Sequence, residues 1–210
     1  MNKNFNSNKV QNIDYADEYD DLAYKSESHS AEIIFGLLFE YIQPGQNLLD
    51  IGIGTGLSAL LFKKYGMNIY GLDNSLEMLE VCEKKNIVID LKLFDLNNEL
   101  LPYDKGQFDH LISVGVFHFF NDLDNFFKEA RRILKPGGTF SFTIMVSPEG
   151  INHEFNEEYQ IDVYSHSQKY IETLIEKYKF NFLKRIRFLT FKDISKTERI
   201  CFQAYVLSNE

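Results

Sequence analysis

The stretch that decides the fold of this 210-residue chain is Leu48-Leu49-Asp50-Ile51-Gly52-Ile53-Gly54-Thr55-Gly56. Apolar residues run into three alternate glycines, and a segment with helical character, residues 57–65, follows at once. Glycine has no Cβ, so it lets the chain turn tightly and lets a ligand approach the backbone closely. In open parallel sheets, ligands bind beyond the carboxyl ends of the strands. The stretch therefore predicts a strand, a ligand-binding loop and a helix in succession.

The spacing of the glycines indicates the charge of the ligand. The dinucleotide fingerprint G-x-G-x-x-G would need its third glycine at position 57, where this chain has Leu57. The chain has G-x-G-x-G at Gly52, Gly54 and Gly56 instead, and Asp50 precedes these glycines at the end of the strand. A carboxylate repels a pyrophosphate and attracts a cationic amino-acid moiety. We therefore expect a cationic ligand and rank a nicotinamide oxidoreductase last among the enzyme classes.

Segments with strand and helix character alternate outward from this loop. Strands are expected at residues 47–51, 68–72, 87–94, 108–114, 139–146, 183–191 and 199–207. Helices are expected at residues 13–24, 28–41, 57–65, 123–134 and 167–178, with one more opened by Ser75 as its N-cap. This alternation predicts a mostly parallel α/β sheet with helices on both faces. The last two strands have no long helix between them, which predicts an antiparallel edge, and no linker divides the chain.

Two further acids end predicted strands near the glycine loop. Asp73 ends the second strand, where a carboxylate can accept hydrogen bonds from both hydroxyls of a ribose. Asp95 ends the third strand, where it can accept from an adenine amino group while Leu96 packs on the base. The alternatives are a helix cap ahead of Ser75 for Asp73 and a turn residue for Asp95.

Taken together, residues 47–144 resemble the class I S-adenosylmethionine-dependent methyltransferases. Beyond the glycine loop, residues 72–79 resemble the second motif of that family, residues 108–114 its fourth strand, and residues 133–140 the turn before its fifth. The resemblance implies a Rossmann-like, seven-stranded sheet of order 3-2-1-4-5-7-6 with strand 7 antiparallel. Ile51 and Ile53 depart mildly from the residues common in the family.

The resemblance also implies a set of contacts with S-adenosylmethionine, whose product is S-adenosylhomocysteine. In the core these fall on Asp50, Gly52, Gly54, Thr55, Gly56, Asp73, Asn74, Met78, Asp95, Leu96, Val114 and Gly115. Related methyltransferases place a tyrosine from an N-terminal helix over the methionine end of the cofactor. Tyr19 and Tyr24 are the candidates, with plain aromatic packing as the alternative; the acids around them are interpreted as a solvated face.

The whole chain, residues 1–210, is thus expected to form one methyltransferase domain. Residues 1–43 would be an N-terminal helical lid, 44–146 the cofactor-binding core, and 147–210 an acceptor-side insert followed by the closing strands. The insert at residues 146–168 is expected to be a loop with acceptor contacts. The start of the chain, residues 1–11, is rich in Asn and is expected to be disordered.

His118 is the best candidate for a general base, because it leaves the fourth strand beside the expected methyl group. The alternative is a histidine that packs in the core or beside the cofactor. No metal is expected, since the histidines and glutamates of the insert have no ligand spacing and are interpreted as a solvated loop. They are His153, Glu154, Glu157, Glu158 and His166.

Composition limits the partners and the compartment. The net charge of -9 argues against nucleic acid, and strand alternation would divide the basic run at residues 184–187 between two faces. There is no signal peptide and no apolar run of about 18 residues. Cys82 and Cys201 are isolated, which is typical of a reducing compartment, so we expect a cytoplasmic protein with no membrane contact.

The leading functional hypothesis is in-line methyl transfer to a small-molecule acceptor. The alternatives are a tRNA or protein methyltransferase and a non-catalytic regulator that binds S-adenosylmethionine. The identity of the acceptor, the atom methylated and the oligomeric state do not follow from the sequence.

Overall fold

A computed structural model describes residues 13–98, 100–156, 161–191 and 194–210. The side chains of residues 13, 14 and 156 are outside this description. The expected disorder at residues 1–11, and Glu157 and Glu158 of the insert, also lie outside the described residues. None of the helices in the described part combines the length and the apolar character that crossing a bilayer requires.

The centre of the molecule is a sheet of seven strands in the expected order. The strands are β1 (Asn47–Ile51), β2 (Asn68–Asp73), β3 (Asp90–Leu93), β4 (Phe108–Ser113), β5 (Leu134–Ser147), β8 (Phe180–Phe191) and β9 (Arg199–Asn209). Their spatial order is β3-β2-β1-β4-β5-β9-β8, in which β9 runs antiparallel to both of its neighbours. The mostly parallel α/β fold is confirmed. β8 and β9 take the places of strands 6 and 7 in the expected order, but the full sheet has nine strands, because two strands of the insert extend it from the end of β5.

Six α-helices of the described residues surround the sheet. They are α1 (Ile13–Lys25), α2 (Ser30–Leu38), α3 (Ala59–Tyr65), α4 (Leu76–Lys84), α5 (Asp124–Ile133) and α6 (Gln168–Lys177). A short 3-10 helix, Phe117–Phe119, follows β4. The hydroxyl of Ser75 accepts the N–H of Met78, so the expected N-cap of α4 is confirmed. Gly66 ends α3 with a left-handed backbone.

Two apolar layers hold the helices to the sheet. On one face, Phe127, Phe140 and Phe142 pack with residues of α5 and α6. On the other face, Ile34 and Leu38 of α2 pack with residues of α3, α4 and β9. Helix α2 is therefore part of the core, and of the described part of the expected lid, residues 13–43, only α1 lies over the carboxyl ends of the strands. The reason is that α2 has a wide apolar face, whereas α1 is rich in acids.

The insert differs from the expected loop. It forms a hairpin of β6 (Ile151–Asn156) and β7 (Ile161–Ser167), and β7 pairs in parallel with the end of β5 at Val146 and Ser147. His166 is fully buried against the 3-10 helix rather than solvated. The pairing with β5 supplies the order that the polar, glutamate-rich composition of the insert does not predict.

A buried histidine near the amino ends of the strands connects three elements. The Nδ1 atom of His110 lies 2.8 Å from the Thr139 hydroxyl, and its Nε2 lies 2.8 Å from Oε1 of Gln46. The same Gln46 oxygen accepts the N–H of Gln43, so His110 donates from Nε2. Burial, the largest cause, lowers the pKa of His110 to about 4.

We predict that His110 makes folding sensitive to acid. Unfolded chains protonate this histidine below about pH 6.5, whereas the folded chain does so only near pH 4, so the stability that depends on the neutral ring is lost between these values. The free energy of unfolding of wild type, minus that of His110→Gln, should therefore decrease by up to about 3 kcal/mol as the pH is lowered through this range. Urea unfolding at several pH values measures it, and the shared groups cancel in the difference. A difference that stays constant with pH would contradict the assignment.

Candidate functional site

The glycine loop turns back on itself directly after β1. The N–H groups of Gly52 and Ile53 both donate to the carbonyl of Leu72, so the loop is held against the end of β2. Gly52 has a φ of +75°, and a Cβ at this position would lie 2.4 Å from Cγ2 of Val116. Both the backbone conformation and the close contact therefore require glycine here.

Gly54 faces open space at the turn of this loop. Its φ is +53°, and a Cβ at this position would have no neighbour within 4 Å. Its N–H donates to Oδ2 of Asp73 at 2.8 Å, which joins the loop to the end of β2. Gly56 also has a positive φ, and a Cβ on it would lie 2.8 Å from Sγ of Cys82. The loop is thus packed on its inner side and open where a ligand would approach.

Asp50 is the least satisfied polar side chain at this edge of the sheet. It is 1% exposed, and neither carboxylate oxygen has a hydrogen-bond partner within the described residues. Burial and, after it, the charge of Asp73 raise the pKa of Asp50 well above its usual range. An unpaired buried carboxylate is costly, and a cationic group of a ligand would satisfy it. The site therefore fits S-adenosylmethionine, whose amino-acid moiety carries an ammonium group.

Asp73 is organised by backbone donors. Its carboxylate accepts the N–H groups of Gly54 and Ser75 at 2.8 and 2.9 Å, and the N–H of Asn74 contributes as well. Burial raises the pKa of Asp73, and these three donors act against that rise. The carboxylate is fixed in place at the start of α4, with Met78 buried one turn further on. The predicted ribose contact remains a prediction, and the helix-cap alternative accounts for the Ser75 bond.

The third acid is placed differently. Asp95 is exposed, and its Oδ1 accepts both the backbone N–H and the side-chain amide of Asn97. This is the turn interaction that we gave as the alternative for Asp95. Leu96, next to it, is buried in the core. A role for this pair at an adenine remains a prediction.

Two predicted contacts lie at the end of β4. Val114 is half-buried, and Gly115 has a φ of +72° with no atom within 4 Å of the position that a Cβ would take. The N–H of Gly115 donates to the Thr143 hydroxyl of β5, so this turn is fixed to the neighbouring strand. Like Gly54, Gly115 leaves space at the carboxyl edge of the sheet.

Helix α1 closes over the acidic end of this edge. Burial and then the charges of Asp20, Asp73 and Asp50 raise the pKa of Tyr19, which places this tyrosine beside the acids of the sheet. Tyr24 does not reach the site, because its side chain is 85% exposed. Of the two predicted tyrosines, the structure brings only Tyr19 to the glycine loop.

The acids of α1 are not all solvated. The hydroxyl of Thr55, predicted to contact the cofactor, donates to Oδ1 of Asp20 at 2.5 Å. Asp20 also forms an ion pair with Lys85 at the end of α4. Sequence reasoning missed Asp20 because it lies within a run of acids, but the helical spacing of Ala16, Tyr19 and Asp20 marks them as one face.

His118 lies on the 3-10 helix that follows β4. Its Nδ1 is buried without a hydrogen-bond partner in the described chain, and its ring packs on Phe119 and faces Phe202. Burial first, and then the neighbouring His166, lower the pKa of His118 to about 4. His118 is therefore neutral at physiological pH and accepts a hydrogen bond more readily than a full proton.

His166, which sequence reasoning assigned to a solvated loop, supports the segment that carries His118. Its Nε2 lies 3.3 Å from the carbonyl of Phe117, and its ring stacks on Tyr170. A lone histidine in a polar stretch gave no sign of this burial, which depends on the pairing of β7 with β5. Within the described residues no group of three or more His, Cys, Asp or Glu side chains is arranged to hold a metal ion.

Comparisons with known proteins place the core of the chain in one family. A family described as "Methyltransferase domain" matches residues 49–142. An uncharacterized protein of Methanocaldococcus jannaschii is 28% identical over 197 residues, which cover 89% of this chain and 88% of that protein. The ubiquinone biosynthesis O-methyltransferase of Pelagibacter ubique is 37% identical over 95 residues, 43% of this chain and 38% of that protein. For three other curated relatives, the chain spans only 23%, 50% and 41% of their lengths.

A solved structure shows the same fold. It is a methyltransferase in complex with the Haloferax volcanii Trm112 methyltransferase activator, and it is 17% identical to this chain. The two chains superpose with a TM-score of 0.71, and the match covers 94% of each. At this level of identity the similarity concerns the fold.

We predict that Gly54→Ala weakens cofactor binding while the chain still folds. The new methyl group would meet no protein atom, so the cost to stability is the positive φ alone, about 1–2 kcal/mol. Gly45→Ala is the matched control, since Gly45 has a φ of +86°, has no atom within 4 Å of its Cβ position and lies before β1. Calorimetry should show S-adenosylhomocysteine affinity reduced about 10-fold or more for Gly54→Ala and unchanged for Gly45→Ala. Equal affinities in both variants would show that the cofactor does not bind at this loop.

We predict that Asp50→Asn separates stability from binding. The amide has the shape of the carboxylate but removes a buried charge without a partner, so the ligand-free chain should unfold at a higher temperature. The same change removes the charge that faces the ammonium group of the cofactor, and affinity should fall about 10-fold. Thermal unfolding and calorimetry at pH 8 check both effects. Unchanged affinity would show that Asp50 does not face the ligand's cation.

The loop geometry, the uncompensated Asp50 and the fixed Asp73 describe one arrangement at the carboxyl edge of the sheet. It has an open backbone turn, an acid for a cation and an acid at the next strand end. The family match begins at Leu49 within β1 and ends at Phe142 within β5, so it includes every one of these features. Residues 49–142 of this chain are therefore a methyltransferase domain of the class I S-adenosylmethionine-dependent type.

Proposed function

We propose that this methyltransferase acts on a small-molecule acceptor and that the acceptor presents an oxygen to the methyl group. The observation that carries this proposal is the neutral, unpartnered Nδ1 of His118 on the 3-10 helix that follows β4. In the tautomer with its proton on Nε2, this nitrogen accepts a hydrogen bond, and an O–H group of a neutral acceptor is a suitable donor.

The acidic end of the site is suited to hold the cofactor. When bound, S-adenosylmethionine supplies an activated methyl group on a sulfonium, whose departure leaves a neutral thioether. The open turns at Gly54 and Gly115 give the ligand room, Asp50 balances its ammonium group, and Asp73 is available to its ribose. Tyr19 covers this end and helps to exclude water. The main task of the chain is to hold donor and acceptor in line.

The acceptor end is aromatic and has little charge. Phe119 and Phe202 flank His118, and strand β7 of the hairpin packs on the 3-10 helix that carries it. With a pKa of about 4, His118 is a weak base near neutral pH, so its first role is to orient the acceptor's O–H group. An aromatic setting of this kind fits a flat or apolar acceptor better than a highly charged one.

The relatives support this choice of acceptor. The Pelagibacter ubique relative is a ubiquinone biosynthesis O-methyltransferase, and its match to this chain spans 95 residues. The alternative of a tRNA methyltransferase would need a continuous basic surface. The basic residues of β8 do not form one: Lys184 contacts α2 at Leu37 and Glu40, whereas Arg185 pairs with Glu172 of α6 on the other face of the sheet.

The proposed function is tested by measuring methyl transfer from labelled S-adenosylmethionine to three kinds of acceptor. The first panel contains phenols, hydroxyquinones and carboxylic acids, the second contains unmodified tRNA, and the third contains a protein extract. Product formation with members of the first panel supports the proposal. Transfer only to tRNA or to protein would overturn it, and cofactor binding without transfer to any panel would favour the non-catalytic regulator.

We predict that His118→Ala lowers kcat/KM for the acceptor about 10- to 100-fold and leaves cofactor affinity unchanged, because His118 lies at the acceptor end. His118→Gln, which can still accept a hydrogen bond, should recover part of this loss. The wild-type profile of kcat/KM against pH should show no loss near pH 6.5 that depends on His118, because its pKa is about 4. A His118-dependent loss near pH 6.5 would contradict the neutral, orienting role.

A further inference from the structure

We infer that Asp20 is a positioning residue that locks helix α1 over the cofactor loop. Its two carboxylate oxygens bind two separate parts of the core. Oδ1 accepts the hydroxyl hydrogen of Thr55, between Gly54 and Gly56, and Oδ2 pairs with the ammonium group of Lys85 at the end of α4. One side chain therefore connects α1, the glycine loop and helix α4, which follows Asp73.

The geometry of α1 transmits this anchoring to Tyr19. Ala16, Tyr19 and Asp20 are three and four residues apart and share one face of the helix. Ala16 is buried on this face, whereas Asp17 and Tyr24 are exposed. The structure packs α1 mainly against α4. Because Tyr19 directly precedes Asp20, an anchor at Asp20 determines how close Tyr19 lies to Asp50 and Asp73.

The ion pair of Asp20 is better protected than its neighbour on the same helix. The side chains of Lys85 and Asp20 are 23% and 36% exposed, whereas those of Lys84 and Asp17 are 71% and 55% exposed and lie 3.9 Å apart. Exposed pairs contribute little, since water screens them and their side chains are mobile. Asp17 and Lys84 therefore provide a matched control with the same charges on the same two elements.

The effects of two substitutions on cofactor retention distinguish an anchoring contact from an effect of the electric field alone, because only the field effect differs in sign between them. Asp20→Asn removes one negative charge near the site, and Lys85→Met removes one positive charge. If these residues acted only through their field on the cationic cofactor, the two substitutions would have opposite effects on its retention. If they act as a lock, both substitutions free α1 and both accelerate release of the cofactor.

The first experiment is hydrogen–deuterium exchange of the full ligand-free chain. Residues 13–25 should exchange faster by about 10-fold in Asp20→Asn and in Lys85→Met, while β1 and β4 keep their protection. Asp17→Asn and Lys84→Met should match wild type. Unchanged protection of residues 13–25 in both lock variants would overturn the inference.

The second experiment measures release of radiolabelled S-adenosylmethionine after a chase with unlabelled cofactor. Both lock variants should release the cofactor about 10-fold faster, and the double variant should be no faster than the faster single variant, because the two residues form one contact. Opposite effects of the two substitutions, or equal effects of the Asp17 control, would overturn the lock. Neither experiment uses an acceptor, so failure of the proposed small-molecule function would leave this result intact.

Discussion

The hydrogen bond from the Gly54 N–H to the Asp73 carboxylate joins the carboxyl ends of β1 and β2, and the rest of the site depends on it. The bond forms only if the loop after β1 adopts a left-handed backbone, because the amide must point toward the neighbouring strand. It satisfies Asp73 and leaves Asp50 buried without a partner among the described residues. The fold therefore concentrates negative charge at one edge of the sheet, where a cationic ligand can balance it.

The site has two ends of opposite character. At the end of β1, acids from the sheet and from α1 create a field that favours a cation. Beyond the end of β4, two histidines whose pKa values are lowered by desolvation, His118 and His166, lie among aromatic rings. The proposed transfer, between a cationic donor and a neutral acceptor, needs both environments side by side and in line. The lid helix α1 contributes to the first of them, and the hairpin of β6 and β7 packs against the second.

The parts of the fold that were predicted correctly have strong local signals. The strand before Gly52, the N-cap at Ser75 and the end of α3 at Gly66 each follow from the chemistry of a few neighbouring residues. The resemblance to known methyltransferases supplied the strand order. The hairpin was missed because Pro148, Gly150 and a run of polar residues resemble a loop. Its strands form because β7 pairs in parallel with the end of β5. Burial of His166 follows from the same pairing.

By itself the sequence determined the cofactor class and marked the acids at the strand ends that are predicted to meet the cofactor, because backbone turns and strand ends are local properties of the chain. Only the tertiary structure decided which side chains outside the core reach the site. It brought Tyr19 rather than Tyr24 to the glycine loop, made Asp20 the contact of Thr55 and Lys85, and made His118 neutral by desolvating its ring. These outcomes depend on which elements lie against each other, and a linear sequence does not state the distances between them.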